Sequence, residues 1–220
     1  AGLIHKNQCV WRDYPPCDPE FALLDPARIR ELPRRELVFQ GVSALAGAME
    51  QYLSPANGMG VSRELLEALL YGMIQDLRIC RNPPNDEEVW SNLMWRCTLW
   101  GSRFFQLGRR FSFPALPVRE AAILSASDWE EYAGALSVLL LARCRQASEQ
   151  QPTVLSRLAR WGWGAEKGDS NQEDAQANVC AFRKFLRELK LPTEYAELGE
   201  PQRERLRALL KSRSLLPELT

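Results

Sequence analysis

The chain has 220 residues, of which 45% are hydrophobic and 25% charged, and its 28 Lys and Arg residues balance its 28 Asp and Glu residues. A chain of this length can bury a core of its own, so its size requires neither disulfides nor a structural metal. No run approaches the roughly 18 consecutive apolar residues that predict a membrane span, and a balanced charge excludes an overall field that would attract nucleic acid or an anionic membrane. We therefore expect no membrane insertion, and charged partners only at local patches.

The first part of the chain, residues 1–36, differs from the rest because prolines interrupt short, extended-looking pieces. One such piece covers residues 20–24, just before Asp25 and Pro26, and the pattern predicts an arm with two short strands. Cys9 and Cys17 bracket the proline-rich part of this arm. A disulfide between them in an oxidising compartment and two free thiols both remain open.

From about Leu37 onward the apolar residues take the spacing of helices. In the clearest case they fall on one helix face, and Ser62 is predicted to cap the start of that helix. The apolar residues of this face are Leu65, Leu66, Leu69, Leu70, Met73, Ile74 and Leu77. The sequence therefore predicts a mainly α fold, with a helical domain over residues 37–220 behind an irregular N-terminal arm over residues 1–36.

Three further helix starts are predicted where a capping oxygen precedes a carboxylate by three residues. The pairs are Asn85 with Glu88, Ser127 with Glu130, and Ser170 with Glu173. The helix after Ser170 is predicted to stop before the Leu191-Pro192 step, because proline disfavours helix in the residue before it. A last helix is predicted to follow Pro201.

Several segments, in order across residues 18–200, resemble iron-containing alcohol dehydrogenases of the butanol-dehydrogenase type. DPEFALLDP at 18–26 looks like the family's entry into its helical domain, and GVSA leading to MEQY at 41–52 looks like its first metal-bearing helix. EVWSNLMW at 88–95 is similar to the family's ANLMW helix, and LPT with ELG at 191–199 is similar to its closing LGLPT and LSELG segment. The resemblance implies the C-terminal helical domain of the dehydroquinate synthase-like, iron-alcohol-dehydrogenase fold.

The same resemblance implies a metal site that this chain cannot rebuild. The family uses an Asp and a His four residues later on one helix, plus two His fourteen residues apart, and these positions fall on Ser43, Gly47, Arg103 and Pro117. None of these side chains replaces the missing carboxylate or imidazoles, and Arg103 would put a permanent cation at the place of the ion. The chain has one histidine, His5, where the site needs three. We expect no metal and no other cofactor.

The dinucleotide-binding half of the family has no counterpart here, because the chain contains no glycine-rich phosphate loop. Two segments are instead candidates for an interaction surface. One interleaves cations with aromatic rings, which either fill the former cleft or hold single-stranded nucleic acid, and the other is a pair of tryptophans suited to a protein partner or to the domain's own core. The candidate residues are Arg103, Phe104, Arg109, Arg110, Phe111, Trp161 and Trp163.

The preferred hypothesis is a non-catalytic pseudoenzyme that serves as a structural or accessory subunit of a larger assembly, with other protein subunits as partners and no small-molecule substrate. The first alternative is a fragment of a metal-dependent NAD(P)-linked alcohol or aldehyde oxidoreductase that works with a separate nucleotide-binding chain. A weaker alternative is an RNA-associated protein, although nucleic acid is not the expected partner. Location stays undetermined, since an organelle such as the mitochondrion and the cytoplasm suit the composition equally.

Overall fold

The computed structural model describes residues 2–5, 8–11, 21–54, 60–80, 87–101 and 122–213. Two short strands, β1 (Gly2–His5) and β2 (Gln8–Trp11), pair in antiparallel register with Gly2 opposite Trp11 and His5 opposite Gln8. The remaining regular structure is helical, which confirms the mainly α fold. Across the described ranges, no helix combines the length and the apolarity that crossing a bilayer requires.

The arm contains strands, but they do not lie where the sequence suggested. Of the predicted extended piece at 20–24, residues 21–24 belong to no regular element, and Phe21 and Leu23 are largely exposed. A strand needs a hydrogen-bonding partner, and these residues pair with none of the described segments. Helix α1 (Pro26–Arg30) follows at once, with the Asp25 carboxylate accepting a hydrogen bond of 3.0 Å from the Ala27 amide.

The helices that follow α1 run through the rest of the described chain in sequence order. Helix α2 begins three residues before Leu37, directly after Pro33, and a helical turn at residues 122–125 precedes α5. A 3₁₀ turn at Tyr195–Glu197 separates the last two helices. The helices are α2 (Arg34–Leu53), α3 (Gly60–Cys80), α4 (Glu87–Leu99), α5 (Trp129–Gln150), α6 (Pro152–Trp163), α7 (Asn171–Glu188) and α8 (Glu200–Arg213).

The predicted caps have mixed outcomes. Ser170 caps α7 by accepting a hydrogen bond from the Glu173 amide at 3.2 Å, as predicted. Ser62 is not a cap, because α3 already begins at Gly60 and Ser62 is buried inside its first turn. The cap of α5 is Asp128 rather than Ser127, and it accepts from the Glu131 amide at 2.8 Å. The predicted cap Asn85 lies outside the described residues.

Helix α7 ends where the sequence predicted. The amide of Leu191 donates to the Leu186 carbonyl and that of Lys190 donates to the Arg187 carbonyl, which closes the helix end. Lys190 takes a left-handed conformation with φ of 61° to make this turn. Pro192 then prevents further helix because it has no amide hydrogen to donate.

Helix α2 lies at the centre of the domain, packed against α3 and α5, while α6 packs against α3 and α7. Small residues make this central position possible, since a side chain at Gly41 would overlap Leu77 of α3. Val42, Leu45 and Met49 of α2 are almost fully buried. Each such side chain contributes about 1.5–3 kcal/mol to folding, so the core of the domain surrounds α2.

Candidate functional site

One face of α2 carries the two positions at which the resemblance places metal ligands and which the structure describes. Ser43 and Gly47 are four residues apart and therefore share this face, which Gln51 extends by one more turn. This face contacts Tyr132 of α5 and Trp100, the residue directly after α4. We call the space between these elements the α2 cleft.

The hydroxyl of Ser43 lies next to another hydroxyl group. The Ser43 Oγ lies 2.8 Å from the hydroxyl oxygen of Tyr132 on α5, within hydrogen-bonding distance. The Tyr132 ring is buried and meets the Trp129 ring edge-on, with 5.6 Å between the ring centroids. A neutral hydroxyl within hydrogen-bonding distance of a phenol is a much weaker metal ligand than the carboxylate that the resemblance implies at this position.

Position 47 is covered by an indole ring. A Cβ atom built on Gly47 would overlap the six-membered ring of Trp100, so the ring rests directly on the backbone of α2. The side chain of Gln51 donates a hydrogen bond of 3.1 Å to the Trp100 carbonyl and helps to hold this residue in place. The space that a side chain at position 47 would enter is therefore taken by Trp100.

What remains of the α2 cleft is a groove of about 550 Å³. Its lining is largely apolar and includes Leu37, Leu93, Met94 and Trp129 beside Ser43. Across the described ranges, no three His, Cys, Asp or Glu side chains lie close enough together to share a metal ion. The residues present at positions 43 and 47 do not fit the divalent ion that the resemblance implies.

Two cysteines with an arginine beside them in the sequence, Cys97 and Cys144, are poor nucleophiles. Burial raises the pKa of the Cys97 and Cys144 thiols to about 12, and Asp76 adds to the effect at Cys97. A reactive cysteine needs the opposite shift, toward the thiolate at neutral pH. The arginines next to Cys97 and Cys144 in the sequence therefore do not activate them.

The two candidate tryptophans near the end of α6 have different surroundings. Trp163 packs against Phe182 and Phe185 of α7, and its indole Nε1 donates a hydrogen bond of 2.7 Å to Asn178. Trp161 leaves 67% of its surface in solvent. The remaining candidate residues lie outside the described part of the chain, and they are Arg103, Phe104, Arg109, Arg110, Phe111 and Pro117.

A buried charge network beneath Trp161 was not foreseen from the sequence. The carboxylate of Glu67 on α3 accepts hydrogen bonds from both the Nε and an Nη of Arg157 on α6, at 2.8 and 2.9 Å. The Tyr52 hydroxyl of α2 lies 2.9 Å from the same carboxylate. Burial, followed by the Glu67 charge, raises the pKa of Tyr52 well above its usual range. This network ties α2, α3 and α6 together.

The comparisons with known proteins agree on one family. The chain is 25% identical over 181 residues to the NADPH-dependent aldehyde reductase YqhD of Escherichia coli, a match that covers 82% of this chain and 46% of that protein. It is 22% identical over 184 residues to the NADH-dependent butanol dehydrogenase A of Clostridium acetobutylicum, with the same coverage. No protein-family model matches the chain.

Solved structures are similar to this chain in fold although their sequence identity to it is low. The substrate- and cofactor-free E. coli YqhD aldehyde reductase superposes with a TM-score of 0.77 at 23% identity, covering 94% of this chain and 54% of that one. The butanol dehydrogenase A of Thermotoga maritima gives a TM-score of 0.70 at 19% identity, covering 85% and 48%. The chain spans about half the length of the relatives it matches. It is a homologue of the helical C-terminal half of the iron-containing alcohol dehydrogenases.

Proposed function

We propose that this helical domain does not carry out the metal-dependent redox chemistry of its relatives and serves instead as a structural or accessory unit held by other proteins. The observation that carries the proposal is the indole ring of Trp100 resting on Gly47. It occupies the space that a ligand side chain at that position would need.

The chemistry of the α2 cleft supports this proposal independently of the detailed packing. A catalytic ion of the family type needs a carboxylate and three imidazoles, and the chain has one histidine, His5, in strand β1. Ser43 provides only a hydroxyl, which is already within hydrogen-bonding distance of Tyr132. An ion placed here would lose most of its hydration and gain too few strong ligands in return.

Exposed apolar side chains support the second part of the proposal, a protein partner. Trp161, Trp129 and Trp95 each leave more than half of their surface in solvent, and Val61 leaves 68%. Large aromatic residues at a surface are typical of the anchors of protein interfaces. A partner that covered them would remove apolar area from water at a gain of roughly 25 cal/mol per Å².

Metal analysis tests the first part. The protein would be purified without chelators from cells grown with added iron and zinc, and its metal content measured by mass spectrometry beside the E. coli YqhD reductase prepared in the same way. We expect metal far below one ion per chain, and no oxidation of NADPH or NADH with short aldehydes. Iron or zinc near one ion per chain, removable by chelator, would overturn the proposal.

Light scattering and identification of bound proteins after a gentle purification test the second part. We expect the chain to associate with a defined protein partner in constant stoichiometry. A monomeric, fully soluble chain that binds no other protein would contradict the accessory role.

A second candidate is a fragment of a metal-dependent alcohol or aldehyde oxidoreductase that works with a separate nucleotide-binding chain. It is favoured by one observation, the match to about half of each related enzyme. The metal measurement separates the two candidates, because the oxidoreductase needs a bound ion and the accessory unit does not.

A further inference from the structure

A second concave surface lies apart from the α2 cleft and shares no lining residue with it. It is a groove of about 890 Å³ between α3 and α6, and we call it the α3–α6 groove. Tyr71 and the exposed ring of Trp161 line it, and Ala68 and Gly164 also border it. Gly164 ends α6 in a left-handed conformation with φ of 68°, which glycine adopts without strain.

The charges around this groove are largely compensated. Arg157 lines it, but its Nε and one Nη donate hydrogen bonds to Glu67, whose carboxylate side chain is almost fully buried. The hydrogen bonds with Glu67 raise the pKa of Arg157, and the opposite charges of the two side chains compensate each other in this ion pair. Glu64 is the only carboxylate lining the groove that forms no ion pair with any described residue. The groove is therefore aromatic with one negative charge in excess.

An apolar stripe extends the groove along α3. Val61, Leu65, Ala68 and Tyr71 are all exposed and follow one another at spacings of four, three and three residues, so they lie on one helix face. At about 1.5 Å per residue the stripe is roughly 15 Å long. This length suits several residues of a peptide segment better than a small metabolite.

We propose that the α3–α6 groove binds an apolar segment of a protein partner through a lysine or arginine side chain, whose cation lies against the rings of Trp161 and Tyr71 and pairs with Glu64. This inference rests on the proposed accessory role, since it needs a protein partner. Aromatic faces attract cations, and a nearby carboxylate adds a direct ionic contact. The apolar stripe then receives the neighbouring side chains of the same segment.

Fluorine NMR of the chain labelled with 5-fluorotryptophan tests the preference for a cation. The Trp161 resonance is assigned by its loss in Trp161→Phe, and the probes are phenethylammonium, phenethyl alcohol and phenylacetate, which differ mainly in charge. We expect phenethylammonium to shift the Trp161 resonance saturably and to bind at least about fivefold tighter than the alcohol, with no binding of phenylacetate. Glu64→Gln should remove this preference, and the exposed control Glu149→Gln should leave it unchanged.

A second binding experiment, with short peptides, tests whether the groove binds a segment of a protein. An acetylated, amidated tetrapeptide of three leucines and one lysine should bind tighter than phenethylammonium, and its norleucine counterpart should bind weaker than the lysine form. Leu65→Gln should weaken the peptide and leave phenethylammonium unchanged, because Leu65 belongs to the stripe and does not line the groove.

Equal binding of the cation and the alcohol, or no shift of the Trp161 resonance with any probe, would overturn the inference. A peptide that binds no tighter than phenethylammonium would overturn the assignment to a protein segment. The binding experiments and the metal analysis can fail independently. A metal-free chain whose groove binds none of the probes contradicts only this inference. A metal-loaded chain whose groove prefers cations contradicts only the proposed function.

Discussion

The α2 cleft and the α3–α6 groove are both concave, and each has a tryptophan, but the two rings have opposite roles. In the cleft, the six-membered ring of Trp100 covers Gly47 and occupies the space that a side chain there would need. In the groove, Trp161 leaves 67% of its surface in solvent. The difference is one of packing, since an indole ring covers the face of α2 at Gly47, whereas the ring that lines the α3–α6 groove is left in solvent.

The polar groups beneath the two surfaces also differ. The cleft contains a neutral contact between the Ser43 and Tyr132 hydroxyls, whereas the groove lies over an ion pair between Glu67 and Arg157. Removing the partner of a buried charge lowers the free energy of unfolding more than removing the partner of a buried hydroxyl. Substitutions in the two places should therefore destabilise the domain for different reasons.

The largest effect is expected in the α2 cleft, for Gly47→His. The new side chain meets the Trp100 ring, and this overpacking should lower the free energy of unfolding by about 3 kcal/mol without creating a metal site. Urea unfolding with and without zinc measures both effects. As a control, Gly47→Ala in a Trp100→Leu background should cost nothing or add stability, because the ring is gone and alanine favours helix. A stable, zinc-binding Gly47→His variant would show that the cleft is still open.

The next effect belongs to the network under the groove. Glu67→Gln removes the charge that compensates Arg157 and should destabilise the domain by about 2 kcal/mol, less than for a fully buried pair because the Arg157 side chain is 36% exposed. Chemical unfolding measures the loss. Glu149→Gln, at an exposed position outside the network, serves as the matched control. A loss no larger than in this control would make the network irrelevant to stability.

The pH dependence of stability should reveal the same network at Tyr52. Its pKa is raised in the folded state, so above about pH 10 the unfolded chain releases a proton that the folded chain retains. The contribution of Tyr52 to the free energy of unfolding is therefore fully present below this pH and falls by up to about 1.4 kcal/mol per pH unit above it. Between about pH 9 and about pH 11, the free energy of unfolding should fall more in the native chain than in the Tyr52→Phe variant. Parallel losses in the two proteins would contradict this.

The smallest effect on stability is expected for the exposed ring of the groove. Trp161→Ala should change the free energy of unfolding by less than about 0.5 kcal/mol, since most of this ring is already in water. Trp163→Ala, two residues away, should cost about 3 kcal/mol because Trp163 packs on Phe182 and Phe185. Thermal unfolding of both variants measures the contrast. Equal losses would mean that the two rings contribute alike to the core.

Much of the fold could be predicted from local patterns. The helix over residues 60–80, the Ser170 cap and the stop before Pro192 follow from apolar spacing, from capping oxygens and from the missing proline amide. The patterns were less exact at helix starts, because Ser62 lies inside α3, and Asp128 rather than Ser127 has the extended backbone conformation of the cap of α5. The strands were misplaced for a related reason, since a strand depends on a partner elsewhere in the chain.

Some features of the candidate site could likewise be predicted from the sequence, whereas others depend on the tertiary structure. The sequence by itself determined that a site with three histidines cannot form, because composition does not depend on packing. Only the tertiary structure decided which of Trp161 and Trp163 meets the core, that Trp100 covers Gly47, and that Glu67, Tyr52 and Arg157 converge. These contacts join residues up to 90 positions apart, as between Glu67 and Arg157, and no local sequence pattern determines contacts over such separations.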